Sequence, residues 1–126
     1  VGTGRVAVVI EGEGRARGDA AATRRVVRNL LANAVRHASS TVTLTLADGE
    51  IHVDDDGAGI PEAERERVFE RFVRLDEARE RDAGGSGLGL AIARELAREQ
   101  SGDVTLTAAP VPSSGLRATL HRRLPL

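Results

Sequence analysis

Apolar positions recur at helical spacing over residues 20–38. At about 100° per residue, Val27, Leu31, Ala34 and Ala38 share one face; Asn29, Asn33 and Arg36 lie roughly opposite, with His37 at their edge. Asp19 is a good N-cap for this stretch, and its Ala, Leu, Val and Arg content favours helix over strand. Residues 41–46 (Thr-Val-Thr-Leu-Thr-Leu) and 50–55 (Glu-Ile-His-Val-Asp-Asp) alternate cleanly and predict two strands, with Asp48-Gly49 between them as a hairpin signal. On the second strand Ile51, Val53 and Asp55 point to the same side, so a carboxylate lies in register with the core-facing set.

The remaining chain is punctuated by glycine and proline. Residues 5–10 are β-rich, Glu11-Gly12-Glu13-Gly14 is a turn, and residues 15–17 are expected to return as a strand. After the hairpin, Asp56-Gly57-Ala58-Gly59-Ile60-Pro61 is a loop whose two glycines permit close backbone approach to a ligand, and Pro61 suits the start of a short helix over 62–67. Phe69 and Phe72 are the chain's two aromatic residues, and residues 77–82 are almost entirely charged, the composition of a solvated, mobile segment. Gly84-Gly85-Ser86-Gly87-Leu88-Gly89-Leu90 opens a second long helix, with Leu88, Ile92 and Leu96 on one stripe and Gly102 as its stop. Residues 103–108 and 117–124 read as two more strands joined by a Pro/Ser/Gly turn. There is no internal repeat. This order predicts one α/β domain over 1–126, a two-layer sandwich with helices on one face of a mixed sheet and a lid-like insertion at about 61–87.

Composition narrows the function classes. With 126 residues the chain is long enough for a two-layer core. A net charge of -1, from 18 Lys+Arg against 19 Asp+Glu, supplies no overall basic field to recruit nucleic acid or an anionic membrane. The absence of Trp and Tyr removes the stacking platforms of single-strand binders, and the absence of Cys removes disulfides and cysteine metal sites. His37, His52 and His121 are scattered without metal-ligand spacing, which argues against zinc. No apolar run approaches the ~20 residues that span a bilayer, and the sequence shows neither a start Met nor a signal-peptide pattern; the chain reads as a soluble piece of something longer.

The candidate chemistry is that of a nucleotide. Two Asn on one helix face lower helix stability relative to Ala. Neutral amide oxygens suit a hard cation such as Mg2+ already surrounded by phosphate charge, and a neighbouring Arg can pair with phosphate. The glycine stretch at 84–89 is neither a Walker A loop, since Leu88 and Leu90 stand where Lys and Ser/Thr are required, nor a Rossmann fingerprint, since a charged segment rather than a strand precedes it. What remains is a set of unhindered amides at a helix N-terminus, which favours anions. In a mostly apolar pocket, a fixed Asp55 carboxylate would accept from the exocyclic amine of adenine and reject guanine, which carries an oxygen at that position. Phe69 and Phe72 read as packing anchors of the lid.

Together these stretches resemble the ATP-binding catalytic domain of sensor histidine kinases, within the ATPase group that includes gyrase, Hsp90 and MutL. Asn29-Leu30-Leu31-Ala32-Asn33-Ala34 resembles the N box, Asp55-Asp56-Gly57-Ala58-Gly59-Ile60 the G1 box, Phe69-Glu70-Arg71-Phe72 the F box, and Gly85-Ser86-Gly87-Leu88-Gly89-Leu90 the G2 box. Thr119-Leu120 and Leu124-Pro125 are similar to the family's last strand. Four ordered motifs across nearly the whole chain make the resemblance specific. It implies the Bergerat fold, an α/β sandwich that binds Mg-ATP between sheet-packed helices and a flexible lid. It places Asn33 on Mg2+ with Asn29 nearby, and Arg36 and His37 on the phosphates. Asp55 would meet the adenine amine, with Gly57, Gly59, Ile60 and Thr119 completing that pocket. Arg74 would reach the γ-phosphate, and Gly85, Ser86, Gly87, Leu88 and Gly89 would form the hinge and phosphate amides.

Three departures qualify that pattern. Asn29 stands where hydrolytic relatives carry a water-activating Glu, which argues against an autonomous ATPase clamp and against anti-sigma-factor serine kinases. Val73 replaces an aromatic common after the F box. No phosphoacceptor histidine motif and no dimerising helical hairpin occur in the chain. The resemblance therefore implies transfer of the ATP γ-phosphoryl group to a histidine on a separate dimerisation domain of the same receptor, and relay to a response-regulator aspartate. The domain would be the cytoplasmic part of a membrane-bound sensor, itself outside the membrane and without a nucleic-acid partner. The alternative is a nucleotide-binding regulatory module without efficient catalysis.

Overall fold

The computed structural model describes residues 6–16, 18–70, 89–111 and 113–123. β1 (Ala7–Gly12), α1 (Ala20–His37) and β2 (Thr41–Ala47) form a strand-helix-strand unit in which β1 runs parallel to β2, from Ala7 opposite Thr41 to Gly12 opposite Leu46. Parallel neighbours need a crossover, and α1 is that crossover. No returning strand forms at Arg15 or Ala16. Because β1 pairs with the distant β2 rather than with its own neighbours in the chain, Arg15 is taken up elsewhere. Its N–H donates to Asp48 Oδ1 (2.8 Å) and its carbonyl accepts from the Gly49 N–H (2.9 Å), which fastens this stretch to the next hairpin.

That hairpin joins β2 to β3 (Glu50–Asp55), with Gly49 at φ 73, a conformation costly for residues bearing a Cβ. The short helix expected after Pro61 forms as two 3-10 helices, Glu62–Glu64 and Arg67–Phe69. α2 (Gly89–Glu99), β4 (Asp103–Ala108) and β5 (Leu116–His121) complete the chain. The sheet order is β1-β2-β3-β5-β4, and every pairing except β1–β2 is antiparallel, so the sheet is mixed as expected.

α1 begins as its sequence dictates, with the Asp19 carboxylate accepting from the Ala21 N–H at 3.2 Å, and ends with Arg36 and His37 in its last turn, where cations suit the helix dipole. Its buried line is Val26, Leu30 and Ala34, about 70° from the axis that Val27, Leu31, Ala34 and Ala38 define. Val27, Leu31 and Ala38 pack against the core from one flank only partly buried, because strand β1 leaves that flank uncovered. α2 differs likewise: its buried residues are Leu90, Ala91, Ala93 and Ala97, whereas Ile92 and Leu96 are half-buried and Leu88 lies outside the described residues. Ala93 and Ala97, 0% and 1% exposed, let α2 lie close beside α1. The left-handed residue that ends α2 is Ser101 (φ 66) rather than Gly102, whose N–H returns to the Ala97 carbonyl at 2.8 Å in a Schellman-type closure. Glycine at 102 answers a different need, since a Cβ there would collide with the His121 carbonyl.

Leu30, 1% exposed, sits where α1 meets the sheet. Leu30→Ala is expected to cost ~2–5 kcal/mol, read as a lower urea midpoint at unchanged m. Val35→Ala, at a position 39% exposed, should cost under about 1 kcal/mol.

Candidate functional site

The chain turns from β3 into the following loop on two consecutive carboxylates that engage opposite neighbours. Asp55, 4% exposed, continues the inward-facing set of Val53. Its Oδ1 accepts the N–H of Gly57 (2.9 Å) and of Leu116 (3.3 Å), the latter at the start of β5. Ser113 Oγ donates to the Asp55 carbonyl and Ser114 Oγ to the Gly57 carbonyl, each at 3.1 Å. At Gly115 a Cβ would collide with both the carbonyl and the carboxylate of Asp55. The β4–β5 turn is thus seated directly on the Asp55 loop. Both hydrogen bonds of the carboxylate fall on Oδ1, so Oδ2 has no hydrogen-bond partner among the described residues.

Asp56 faces the other way. It accepts from the N–H groups of Ser39 (2.8 Å), Ser40 (3.0 Å) and Thr41 (3.1 Å) and from the Ser40 hydroxyl (2.6 Å), the whole of the turn between α1 and β2. The Ser40 hydroxyl and N–H, more than any other partner, hold its pKa well below the usual carboxylate range. Gly57 completes the junction: a Cβ there would strike the His37 carbonyl, so glycine lets the end of α1 touch this loop. Gly59 has φ 77, and Arg65 Nε donates to the Ile60 carbonyl at 3.0 Å, which holds the loop as it leaves the pocket.

Asn29 and Asn33 are half-buried on the flank of α1 opposite Val27 and Leu31, and neither amide has a hydrogen-bond partner among the described residues. Asn33 is one turn ahead of His37, so the Gly57 contact fixes its distance from Asp55. Arg36 and His37 are exposed at the end of the helix. Gly89 is the first residue of α2; a Cβ there would meet nothing within 4 Å, so packing does not call for glycine, whereas close approach of a ligand would. Thr119 is not brought to Asp55. Strand alternation places it on the outer face of the sheet beside Arg117, which pairs with Asp54 (2.7 Å), and its hydroxyl bonds His52 Nδ1 at 2.8 Å. The inward position next to Asp55 belongs to Leu116. Arg74, Gly85, Ser86, Gly87 and Leu88, with most of the expected lid, lie outside the described residues.

Ser113, Ser114 and Leu116 brace the Asp55 loop, and the sequence did not single them out, because a Pro/Ser/Gly stretch signals a turn without saying what the turn rests on. An open groove of about 770 Å³ on the other flank of α1, lined chiefly by Val8, Val27, Leu31, Val35, Leu44 and Ile51, shares no residue with this site. Its walls are nearly all apolar and offer a polyanion little beyond Arg24 and Arg28.

A family model of histidine kinase-, DNA gyrase B- and HSP90-like ATPases matches residues 18–126. The chain belongs to that family. Among curated relatives it is 46% identical over 99 residues to the probable sensor histidine kinase TcrY of Mycobacterium tuberculosis, covering 74% of this chain and 21% of that protein. It is 40% identical over 111 residues to the sensor protein IrlS of Burkholderia pseudomallei, covering 83% of this chain and 24% of that protein. The chain therefore spans under a quarter of the length of these relatives. Among solved structures, the ATP binding domain of PrrB from Mycobacterium tuberculosis superposes with a TM-score of 0.72 at 31% identity, over 96% of this chain and 82% of that one. The mycobacterial sensor histidine kinase MprB gives 0.69 at 29% identity, over 94% and 84%. The domain is thus a histidine kinase ATPase domain of Bergerat fold, a family for which ATP is the nucleotide.

Asp56→Asn is expected to lower stability at pH 7 by ~1–2 kcal/mol, near the low end for a charged acceptor because the group is partly exposed. Since the folded pKa is depressed, the wild-type advantage is present above the unfolded value of 3.8 and shrinks as pH falls below it. Urea melts of both proteins at pH 7 and pH 3 measure this: the gap between the midpoints should be widest at pH 7 and narrower, though still open, at pH 3.

Proposed function

We propose that this domain binds Mg-ATP and passes the γ-phosphoryl group to a histidine on a separate dimerisation domain of the same sensor protein, for relay to a response-regulator aspartate. The observation that carries the reading is the division of labour within the Asp55 carboxylate. Oδ1 is engaged by the Gly57 and Leu116 amides, which orients the group and leaves Oδ2 as a pre-aimed acceptor. An exocyclic adenine amine satisfies Oδ2, whereas the guanine carbonyl would oppose it. Gly57, Gly59 and Ile60 flank the base.

Asn33, with Asn29 a turn before it, is the protein ligand proposed for Mg2+. Among the described residues no group of three His, Asp or Glu is arranged to hold a metal. A single neutral amide fits an ion that arrives with ATP and keeps phosphate oxygens and water as its other ligands. When bound, Mg2+ neutralises charge on the phosphates. Arg36 and His37 are proposed to contact the phosphates from the end of α1 and Gly89 from the start of α2, with Gly85, Ser86, Gly87 and Leu88 of the glycine motif proposed to add phosphate amides and Arg74 to reach the γ-phosphate. α1 contains no Asp or Glu, so it offers no carboxylate to activate water. Transfer to imidazole needs none: a neutral ring nitrogen attacks phosphorus as the bond to the ADP oxygen breaks. The domain's contribution is positioning and electrostatics. The likeness to sensor histidine kinases supports placing the domain on the cytoplasmic side of its sensor protein; among the described residues no helix is long and apolar enough to cross a membrane.

Asp55→Asn tests the base pocket. The amide oxygen still accepts from Gly57 and Leu116, so the melting temperature should move little, while the new NH2 faces the adenine amine and should weaken ATP binding at least ~30-fold. Calorimetric titration with ATP and GTP, with and without Mg2+, reads this; equal affinity for the two nucleotides in the wild type would sink the assignment. Asn33→Ala should remove most of the Mg2+ dependence and leave adenosine binding in place. Supplying the acceptor domain with labelled ATP then separates transfer from mere binding, since only a kinase labels its histidine.

A further inference from the structure

The Mg-ATP reading divides the proposed site into an adenine half, on the loop after β3, and a phosphate half that includes Gly89, the first residue of α2. Arg94 ties α2 to the segment that follows the adenine loop. Midway along α2, Arg94 has a side chain only 11% exposed, and every face of its guanidinium is in use. Nη1 and Nη2 grip Glu66 in a bidentate pair (2.9 and 3.2 Å), Nε donates to Asp103 Oδ1 (3.0 Å), and the plane lies 3.8 Å from the centre of the Phe69 ring. Glu66 and Phe69 belong to the segment that leaves the adenine loop at Ile60, and Asp103 opens β4. One side chain therefore holds the departing end of that segment, at Glu70, against the helix to which the chain returns at Gly89.

The adenine loop does not need this clamp for its own shape. Leu116, Ser113 and Ser114 fix Asp55 and Gly57 from the β4–β5 turn, and Arg65 holds Ile60. α2 has its own apolar packing through Leu90, Ala93 and Ala97. The 3-10 segment between them is held far less firmly, since within Arg67–Phe69 only Phe69 is buried and in Glu62–Glu64 nothing is. We infer that Arg94 is a positioning residue that sets the separation between the adenine half and the phosphate half, so that one nucleotide meets both at once. This inference rests on the Mg-ATP reading. A ligand bridging two half-sites gains from their fixed spacing, and a ligand that fills one does not.

The test is NMR titration of the whole domain with adenosine and with Mg-ATP, following the Gly57 and Gly59 amides, in wild type, Arg94→Gln and Glu66→Gln. In Arg94→Gln, Mg-ATP affinity should fall roughly tenfold, while adenosine affinity stays within about twofold. Glu66→Gln changes a side chain that is 79% exposed, keeps the fold, and should reproduce the same bias more weakly. Arg94→Lys, which keeps the charge but loses the fork and the stacking, should not rescue. A merely structural role would weaken both ligands in parallel, and parallel loss, or no change in either variant, overturns the inference. Wild-type domain that binds adenosine and Mg-ATP equally, or neither, instead refutes the Mg-ATP reading itself.

Discussion

Everything near the site depends on two adjacent carboxylates at the end of β3 that satisfy backbone groups in opposite directions. Asp56 gathers the amides of the α1–β2 turn, and Asp55 gathers those of its own loop and of β5. Hydrogen bonds to an ionised acceptor are worth about 1.5–3 kcal/mol each, roughly twice a neutral one, so the junction is stiff although it is built from loops. The helix bearing Asn33 and the turn bearing Ser113 and Ser114 are thereby referred to the same two residues. Gly57 and Gly115 are the steric half of that constraint, because a Cβ at either would push apart what the carboxylates draw together.

Local pattern made much of this legible and concealed the rest for a physical reason. Strict alternation placed β2, β3 and their hairpin, and the same alternation put Asp55 in register with Val53, where it is found buried. Helical spacing found α1 but set its inward axis one residue off, because that spacing records which positions are apolar and not how deeply each is covered. On α1 both flanks are half-buried, one by alkyl side chains over the groove and one by the Asn pair, and only the sheet decides that Val26, Leu30 and Ala34 lie between them. Thr119 shows the same limit on a strand: its chemistry suited the pocket, but its parity with Arg117 and His52 turns it outward.

The contacts that sequence left silent are long-range ones. Ser113 and Asp55 are 58 residues apart, and Arg94 and Glu66 are 28 apart. Serines in a Pro/Ser/Gly turn and an arginine on a helix are ordinary surface residues until topology brings them to a carbonyl or a carboxylate. The insertion of β5 between β3 and β4 is what carries the β4–β5 turn onto the Asp55 loop. No periodicity within β3 or within the turn contains that information.

On the proposed reading, α1 serves packing and ligand chemistry together. Its apolar flank faces a groove nearly without polar groups, and its other flank carries two amides without partners among the described residues, followed by Arg36 and His37. A polyanion brought to the groove would lose hydration and gain little beyond Arg24 and Arg28, whereas on the Asn flank it would meet amide dipoles, two exposed basic residues and, on the proposed reading, a carboxylate oxygen without a partner among the described residues that orients the base. The lack of any acidic residue along α1 belongs to the same design: it removes repulsion toward phosphates and, with it, the means to activate water. On the proposed reading those are one property, a helix that holds a nucleotide intact until a better nucleophile than water arrives.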